Sequence, residues 1–325
     1  MKAIVCEGAG QANIMRWRDV NKLAEPGENQ VIIAVAAAGV NRPDVFQRMG
    51  LYPPPLGESE VLGLEISGQV VAVGRGVEWP ALGDQVCALV GGGGYAQYCL
   101  ATADHCMPIP SGIGVEHAAA LPETVLTVWH NVFQRGNLQP GQTLLVHGGC
   151  SGIGLAAIQL ALAKGAKVIT TVGGDTKRQF CQQLGAEAID YQRTDFVERV
   201  GELTQGRGVD VVLDMVGGDY IERNIQAAAF DSTIVSIAFL RGASVTVNMM
   251  PIMLKRINLT GSTLRARDGL FKAALCREVV AQCWPIIARG DFKIVVDSEF
   301  AMAEAVQAHE RMESNGHIGK IVLLT

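Results

Sequence analysis

The sequence has no apolar run approaching the roughly 20 residues that a membrane-spanning helix needs. Its N-terminal residues become charged too early for the apolar segment of a signal peptide. It also lacks an excess of positive charge, because 27 Lys and Arg residues face 32 Asp and Glu residues for a formal net charge of −5. These absences predict a cytoplasmic protein with no membrane partner and no nucleic-acid partner.

None of the eight cysteines follows another in the C-x-x-C spacing of metal-binding or redox pairs. A disulfide framework and a four-cysteine zinc lobe are therefore not expected. Most of the cysteines should be small core side chains in a reducing compartment. Cys150, within a glycine-rich turn, is either reactive or packed, and packing is the favoured interpretation.

Apolar residues make up 49% of the chain and charged residues 18%, a balance typical of a compact protein with a large core. A length of 325 residues predicts two domains. Residues 1 to about 122 are rich in β-branched residues, glycine and proline, which predicts a mostly β domain such as a partly closed barrel. Within it, Gln85–Val90 and Tyr95–Leu100 are predicted to pair as strands around Gly91–Gly94.

From about residue 121 to residue 260, predicted strands and helices alternate. Such alternation predicts an α/β fold with a doubly wound parallel sheet. After this region the pattern predicts a helix around Leu270–Ile287, a strand at Lys293–Asp297, a helix at Met302–Met312 and a last strand at Lys320–Leu324.

The centre of the alternating region contains a candidate nucleotide-binding turn. An apolar run over 143–146 leads into a glycine-rich turn, which is followed by a segment of helix formers and a second apolar run over 167–172. Gly149, Ser151 and Gly154 occupy the three positions of a dinucleotide-binding fingerprint, with Gly152 and Ile153 between them. We expect this turn to hold a pyrophosphate against a helix N-terminus, with the Ser151 hydroxyl as a further donor. The alternative is an ordinary tight turn between a strand and a helix.

The residues after the second apolar run favour NADP over NAD. Gly173, at the tip of the strand, leaves room for a 2′-phosphate, and Lys177 and Arg178 supply positive charge nearby. Two alternatives stay open: Asp175 bonds the ribose of NAD, or Asp175 caps a helix whose first turn carries Lys177 and Arg178 into solvent.

Several further motifs resemble the zinc-free quinone oxidoreductases of the medium-chain dehydrogenase/reductase superfamily. The resemblance runs from end to end of the chain and is far more specific than the glycine turn alone. The motifs that carry it are residues 38–44 (AGVNRPD), 47–55 (QRMGLYPPP), 91–96 (GGGGYA), 121–124 (LPET), 127–129 (TVW), 261–267 (GSTLRAR) and 317–322 (HIGKIV).

The resemblance implies a domain order and an assembly. Residues 1–122 and 263–325 would form a mostly β, GroES-like catalytic domain with a partly closed barrel, and residues 123–262 an NADP-binding Rossmann domain. It also implies a homodimer joined through edge strands of the Rossmann sheets, here near Ala243–Asn248 and Asn258–Gly261.

Comparison with zinc-dependent relatives predicts that zinc is absent. Those relatives place Cys where this chain has Asn41, and His where it has Leu64. Leu64 has no donor atom, and an amide such as that of Asn41 is a poor zinc ligand. Glu65, which follows, does not complete a site alone.

The resemblance thus implies an NADPH-dependent quinone reductase that acts without a metal on a small quinone-like substrate. Asn41 and Tyr52 would lie beside the nicotinamide and bond the acceptor oxygen, with Tyr52 or water passing a proton. Two alternatives are reduction of α,β-unsaturated carbonyls and nucleotide binding with negligible turnover. The resemblance adds a set of cofactor contacts, each with an ordinary packing role as its alternative: Thr124, Thr127, Val128, Tyr191, Ile237, Phe239 and Leu264. Arg265 and Arg267 either balance the phosphates of the cofactor or face solvent, and solvent is the favoured interpretation.

Overall fold

The computed structural model describes all residues from 1 to 325. The chain divides into two compact units, each assembled from separate segments of sequence. The first unit comprises residues 1–126, 265–289 and 294–325, and the second comprises residues 127–264 and 290–293. Every helix falls short of the length and apolar character that crossing a bilayer requires.

The N-terminal segment of the first unit is mostly β-structure. Its strands are β1 (Lys2–Cys6), β2 (Met15–Asp19), β3 (Gln30–Val40), β4 (Glu65–Val73), β5 (Gln85–Leu89), β6 (Tyr98–Thr102) and β7 (Cys106–Pro108). The segment also contains the helices α1 (Arg42–Arg48) and α2 (Val115–Ala118). The long strand β3 alternates buried and partly exposed residues over its first half, as expected for a strand with one face on the core.

The second unit contains the alternating elements. Helix α3 (Pro122–Val128) leads into it and continues as a π-helix over Trp129–Arg135. The elements that follow are β8 (Thr143–His147), α4 (Gly152–Ala163), β9 (Lys167–Val172), α5 (Asp175–Gln183), β10 (Glu187–Asp190), α6 (Phe196–Leu203), β11 (Val209–Asp214), α7 (Tyr220–Ala227), β12 (Ala228–Ser236), α8 (Met250–Lys255) and β13 (Asn258–Gly261). Their strands form one parallel sheet in the order β10-β9-β8-β11-β12-β13. The predicted doubly wound α/β fold is thus confirmed.

The C-terminal segment completes the first unit with α9 (Gly269–Ala288), β14 (Val296–Ala301), α10 (Ala305–Glu313) and β15 (Lys320–Leu324). The larger sheet runs β14-β15-β3-β4-β5-β7, and β6 pairs with β3 outside this path. Strand β15 pairs antiparallel with the C-terminal half of β3, so the two ends of the chain share one core. The prediction of a strand at Lys293–Asp297 is wrong by three residues, because pairing with β15 begins only at Val296.

The predicted pairing of two strands around Gly91–Gly94 is also wrong. Strand β5 pairs with β4 and β7, whereas β6 pairs with β3. The glycine segment bonds instead to the backbone of residues 61–63, through the amides of Gly93 and Gly94. A Cβ on Gly92 would lie 2.5 Å from the carbonyl oxygen of Ser59, so glycine permits this close contact.

Of the two segments expected at the edge of the Rossmann sheet, only Asn258–Gly261 is a strand. Residues 243–248 have no strand structure in this single chain. A strand needs a hydrogen-bonded neighbour, and the place beside β12 is taken by β13. Residues 243–248 therefore have no strand of this sheet to pair with.

Candidate active site

The turn predicted to bind a dinucleotide links β8 to α4. Gly148 lies in the left-handed region at φ +70°. Ser151 is the N-cap of α4: its Oγ accepts a hydrogen bond from the Gly154 amide at 3.0 Å and donates one to the Gly148 carbonyl at 2.7 Å. Since this hydroxyl is engaged within the turn, the phosphate donors that remain are the amides of the first helical turn, at Gly152 and Ile153.

Two glycines of this turn stand where a side chain does not fit. A Cβ on Gly154 would lie 2.3 Å from the Gly148 carbonyl oxygen, and one on Gly149 would lie 2.3 Å from Oγ1 of Thr170 on β9. The turn therefore packs closely on itself at Gly154 and against the Thr170 side chain at Gly149. Such close packing leaves main-chain amides at the surface of the turn, as pyrophosphate binding requires.

Gly173 and Tyr191 meet at the tip of β9. The Tyr191 hydroxyl lies 2.9 Å from the position that a Cβ on Gly173 would take. The next residue, Gly174, has φ +92° and donates its amide to Oδ1 of Asp190 at 3.1 Å. This hydrogen bond is the main cause that lowers the pKa of Asp190. Asp190, which the sequence analysis did not single out, thus anchors the loop that was predicted to surround a 2′-phosphate.

Asp175 does not cap helix α5. Gly174 is the N-cap residue, and Asp175 is the first residue of the helix. Oδ1 of Asp175 accepts from the Arg178 guanidinium at 2.6 and 2.9 Å, and Oδ2 accepts from Gln179 at 2.7 Å. These contacts engage both Asp175 and Arg178. Lys177 is partly buried in the first turn of the helix.

The other predicted cofactor residues of the second unit lie at the ends of its elements. Ile237 follows β12 and gives its amide to the last carbonyl of β11 at 2.8 Å, which leaves its own carbonyl available. Phe239 is half-exposed, whereas Leu264 and Val128 are buried. Thr127 is partly exposed, and its carbonyl accepts from the Asn131 side chain at 2.9 Å.

Thr124 belongs to the first unit. Its hydroxyl donates within the helix region, to the carbonyls of Ala120 at 2.9 Å and Leu121 at 3.1 Å. The side chain is buried. Because its hydroxyl hydrogen is already used in these bonds, Thr124 can contribute only packing contacts to a binding surface.

Asn41 is part of a buried polar network in the first unit. Its Nδ2 donates to Oε1 of Glu65 at 2.8 Å, and its Oδ1 accepts from Nζ of Lys320 at 2.6 Å. Lys320 also donates to Oε1 of Glu65 at 2.5 Å and to the Val40 carbonyl at 3.1 Å. Because a carboxylate only accepts and an ammonium only donates, the network fixes the orientation of the Asn41 amide.

Glu123 lies beside this network. Its amide donates to Oε2 of Glu65 at 2.8 Å. Burial, and then the Glu65 carboxylate, raises the pKa of Glu123 to about 8, against smaller opposing effects of Lys320 and Arg265. Glu65 is paired with the Lys320 ammonium at 2.5 Å, whereas no ion pair is formed by the Glu123 carboxyl. Glu123 is therefore protonated at neutral pH.

Tyr52 is partly exposed, and its ring centroid lies 5.3 Å from Cζ of Arg265. Burial is the main cause that raises the pKa of Tyr52, so its hydroxyl keeps its hydrogen. The expectation that Arg265 faces solvent is wrong: it is 9% exposed and donates twice to the Gly91 carbonyl, at 2.7 and 3.1 Å. Its guanidinium is needed to satisfy a loop carbonyl in the interior of the unit.

Sequence reasoning missed the roles of Glu65, Lys320 and Glu123. The available signal was a charged residue at the start of an apolar strand, as in Glu65 on β4 and Lys320 on β15. Such residues are almost never fully buried unless they are paired. Among residues 1–325, no three His, Cys, Asp or Glu side chains are grouped so that they could hold a metal ion.

Comparison with known proteins gives matches over both units. Two family profiles match, Zinc-binding dehydrogenase over residues 152–278 and Alcohol dehydrogenase GroES-like domain over residues 27–111. The quinone oxidoreductase of Pseudomonas aeruginosa is 34% identical, over 99% of each chain. The crystal structure of Escherichia coli quinone oxidoreductase complexed with NADPH aligns at a TM-score of 0.90 and 32% identity, over 100% of each chain.

The chain also matches a segment of much larger proteins. A phenolphthiocerol/phthiocerol polyketide synthase of Mycobacterium tuberculosis is 32% identical over 93% of this chain. The chain spans only 14% of the length of that protein. It therefore corresponds to one segment of a far longer polypeptide.

Replacing Glu123 with Gln should stabilise the protein as pH rises. Folding raises the pKa of Glu123 from 4.5 to about 8, so stability from this group is complete below pH 4.5 and is lost as pH rises through 8. Gln stays neutral, so the melting temperature of Glu123→Gln relative to wild type should climb between pH 5 and pH 8. Over these three pH units the gain approaches about 4 kcal/mol, because one pKa unit corresponds to about 1.4 kcal/mol, and we expect a rise of roughly 6 °C for a chain of this length.

Thermal melts of Glu116→Gln, at an exposed glutamate of α2, provide the control. Its melting temperature should stay at a constant offset from wild type across the same pH range. If the melting temperature of Glu123→Gln also stays at a constant offset from wild type as pH rises, Glu123 is ionised in the folded protein and the prediction is wrong.

Proposed function

Because the chain belongs to the quinone oxidoreductase branch of the medium-chain dehydrogenase/reductase superfamily, we propose that it transfers a hydride from NADPH to a quinone or a similar small electrophile. The observation that carries this proposal is the turn between β8 and α4, where tightly packed glycines leave backbone amides for a pyrophosphate. The substrate class is taken from the quinone oxidoreductases that this chain matches over their full length. The network around Asn41 supplies the polar groups of an acceptor site.

NADPH fits the second unit through the chain's own donors. The amides of Gly152 and Ile153 would bind the pyrophosphate, while Gly173, Lys177 and Tyr191 would surround the 2′-phosphate. When bound, NADPH supplies the hydride that the acceptor receives. Residues that would contact the nicotinamide half, through side chains or backbone, are Thr124, Thr127, Val128, Ile237, Phe239 and Leu264.

We propose that zinc takes no part, because the donor set does not suit it. Leu64 offers no ligand atom. Oδ1 of Asn41 and Oε1 of Glu65 both accept from the Lys320 ammonium, at 2.6 and 2.5 Å. A zinc ion would have to displace that ammonium and would still lack the three protein ligands of a catalytic site.

An acceptor that is reduced easily suits these residues. Nδ2 of Asn41 carries two hydrogens: one goes to Glu65, and the other has only a weak contact to the Gly39 carbonyl at 3.4 Å. This second hydrogen can serve the oxygen of a quinone as negative charge develops on it. Tyr52, whose hydroxyl stays protonated, is the second hydrogen-bond donor to the acceptor oxygen. Its phenol group can also supply the proton.

The activity test is NADPH oxidation with a panel of benzoquinones and naphthoquinones beside a panel of α,β-unsaturated ketones and aldehydes. We expect kcat/KM to be at least about tenfold higher for the best quinone, and Tyr52→Phe to lower it about tenfold through loss of one hydrogen bond to a charged oxygen. Tyr98→Phe, at an exposed tyrosine of β6, is the matched control and should match wild type. Preference for the unsaturated carbonyls would favour an enone reductase, and NADPH binding without turnover would contradict an enzymatic role.

The cofactor preference is tested with Lys177→Ala. Loss of a charge-assisted contact to the 2′-phosphate should raise the Kd for NADPH about tenfold and leave the Kd for NADH unchanged. Titration calorimetry with both dinucleotides measures this, with Lys167→Ala at the exposed start of β9 as the control. Equal losses for the two cofactors would contradict the assignment of the phosphate site.

We also propose that the protein forms a homodimer through the edge of the parallel sheet at β13. This strand ends the sheet order and has one free ladder edge. The helix that precedes it, α8, exposes Met250, Met253 and Leu254 by 55–65%. An open strand edge next to exposed apolar side chains is a surface that a second copy of the chain would cover.

Sedimentation velocity tests the assembly. The wild-type protein should sediment as a dimer at micromolar concentration, and Met253→Asp should shift it toward monomer because a charge would be buried in the interface. Leu270→Asp, at an even more exposed apolar residue of α9, should leave the dimer intact. A monomeric wild type, or the same shift in both variants, would overturn this arrangement.

We propose a cytoplasmic location on the basis of the thiols. All eight cysteines are free, and seven of them are buried. Free thiols in this number are typical of a reducing compartment.

A further inference from the structure

Two cysteines meet beneath the dinucleotide turn. Cys150 lies between Gly149 and Ser151, and Cys181 lies on α5, the helix that carries Lys177. Their Sγ atoms are 3.5 Å apart. Both side chains are buried, Cys150 with 3% and Cys181 with 0% of its surface exposed.

The packing of the turn brings these sulfurs together. A Cβ on Gly149 would lie 3.1 Å from Sγ of Cys181, so the backbone of the turn packs directly against this thiol. Sγ of Cys150 also donates to the Lys177 carbonyl at 3.4 Å. Cys150 therefore contacts the same helical turn that presents Lys177.

The surroundings of Cys150 favour its thiolate. Donation from the Cys181 thiol lowers the pKa of Cys150, and the charge of Lys177 acts in the same direction against burial. The thiolate is the reactive form of a cysteine toward peroxides and disulfides. Ser151 and Gly152 beside it are partly exposed, so only the turn itself separates this sulfur from solvent.

We propose that Cys150 and Cys181 form an oxidisable dithiol site, which a hydroperoxide converts to a disulfide that weakens NADPH binding. The part that concerns NADPH rests on the proposed function. Formation of the disulfide does not rest on it. Cytosolic disulfides of this kind are usually transient and redox-sensing.

The chemistry balances in two steps. The Cys150 thiolate attacks one oxygen of hydrogen peroxide, so the O–O bond breaks, hydroxide leaves and Cys150 becomes a sulfenic acid. The Cys181 sulfur then attacks the Cys150 sulfur, the S–O bond breaks and water leaves. In sum, two thiols and one peroxide give one disulfide and two waters, and two electrons pass from sulfur to oxygen.

Oxidation should disturb the phosphate-binding amides. A disulfide requires an S–S distance of about 2.05 Å, so the sulfurs must approach from 3.5 Å by roughly 1.5 Å. The turn has little room to move, because even a Cβ does not fit at Gly149 or Gly154. The Gly152 and Ile153 amides, next in the chain, would then shift, and we expect the Kd for NADPH to rise about tenfold. Bound NADPH would cover the turn, so we expect it to slow oxidation.

The experiment treats the full chain with hydrogen peroxide, with and without NADPH. Peptide mass spectrometry should find a linkage between Cys150 and Cys181 together with the loss of two titratable thiols. Titration calorimetry should show the tenfold weaker NADPH binding, restored by dithiothreitol. Cys181→Ser should form no such linkage, and Cys6→Ser, at the one partly exposed cysteine, should respond as wild type.

Absence of the 150–181 linkage after peroxide treatment would overturn the proposal. So would a linkage that forms and leaves the Kd for NADPH unchanged, or one that forms at the same rate when NADPH is bound. Failure of the reduced protein to bind NADPH at all would instead overturn the proposed function. The mass-spectrometric result separates these two failures.

Discussion

The buried ion pair of Glu65 with Lys320 is the interaction on which the first unit depends. It joins β4 to β15, the two strands that flank β3, and so connects the N-terminal and C-terminal segments of the chain. Burying two charges is costly unless further hydrogen bonds complete the geometry. Here every partner is present: Oε1 of Glu65 accepts from Lys320 and from Asn41, and Oε2 accepts from the Glu123 amide.

The same ion pair sets the chemistry of the proposed acceptor site. It orients the Asn41 amide, leaves the Glu123 carboxyl neutral, and takes the oxygen atoms that a metal would need. The Lys320 ammonium itself is fully engaged by Glu65, Asn41 and the Val40 carbonyl. The polarising groups are hydrogen-bond donors of modest strength, which suits quinones better than simple carbonyl compounds.

Features set by consecutive residues were predicted correctly, whereas contacts between residues distant in sequence were mispredicted. The alternation of strands and helices over residues 143–261 was readable because each element has its own periodicity and length. The pairing of β5 with β6 was mispredicted because a glycine run favours a hairpin turn locally, while its amides in fact bond to residues 61–63. Arg265 was mispredicted for the same reason, since its acceptor, the Gly91 carbonyl, is distant in sequence.

By itself the sequence determined the parallel α/β sheet and the glycine turn after β8. Both are short-range features, governed by side-chain periodicity and by the steric limits of a few consecutive residues. Only the tertiary structure decided the partners of Asn41, the neutral state of Glu123 and the contact between Cys150 and Cys181. These properties depend on which atoms meet across tens or hundreds of residues, and on how much water their meeting excludes.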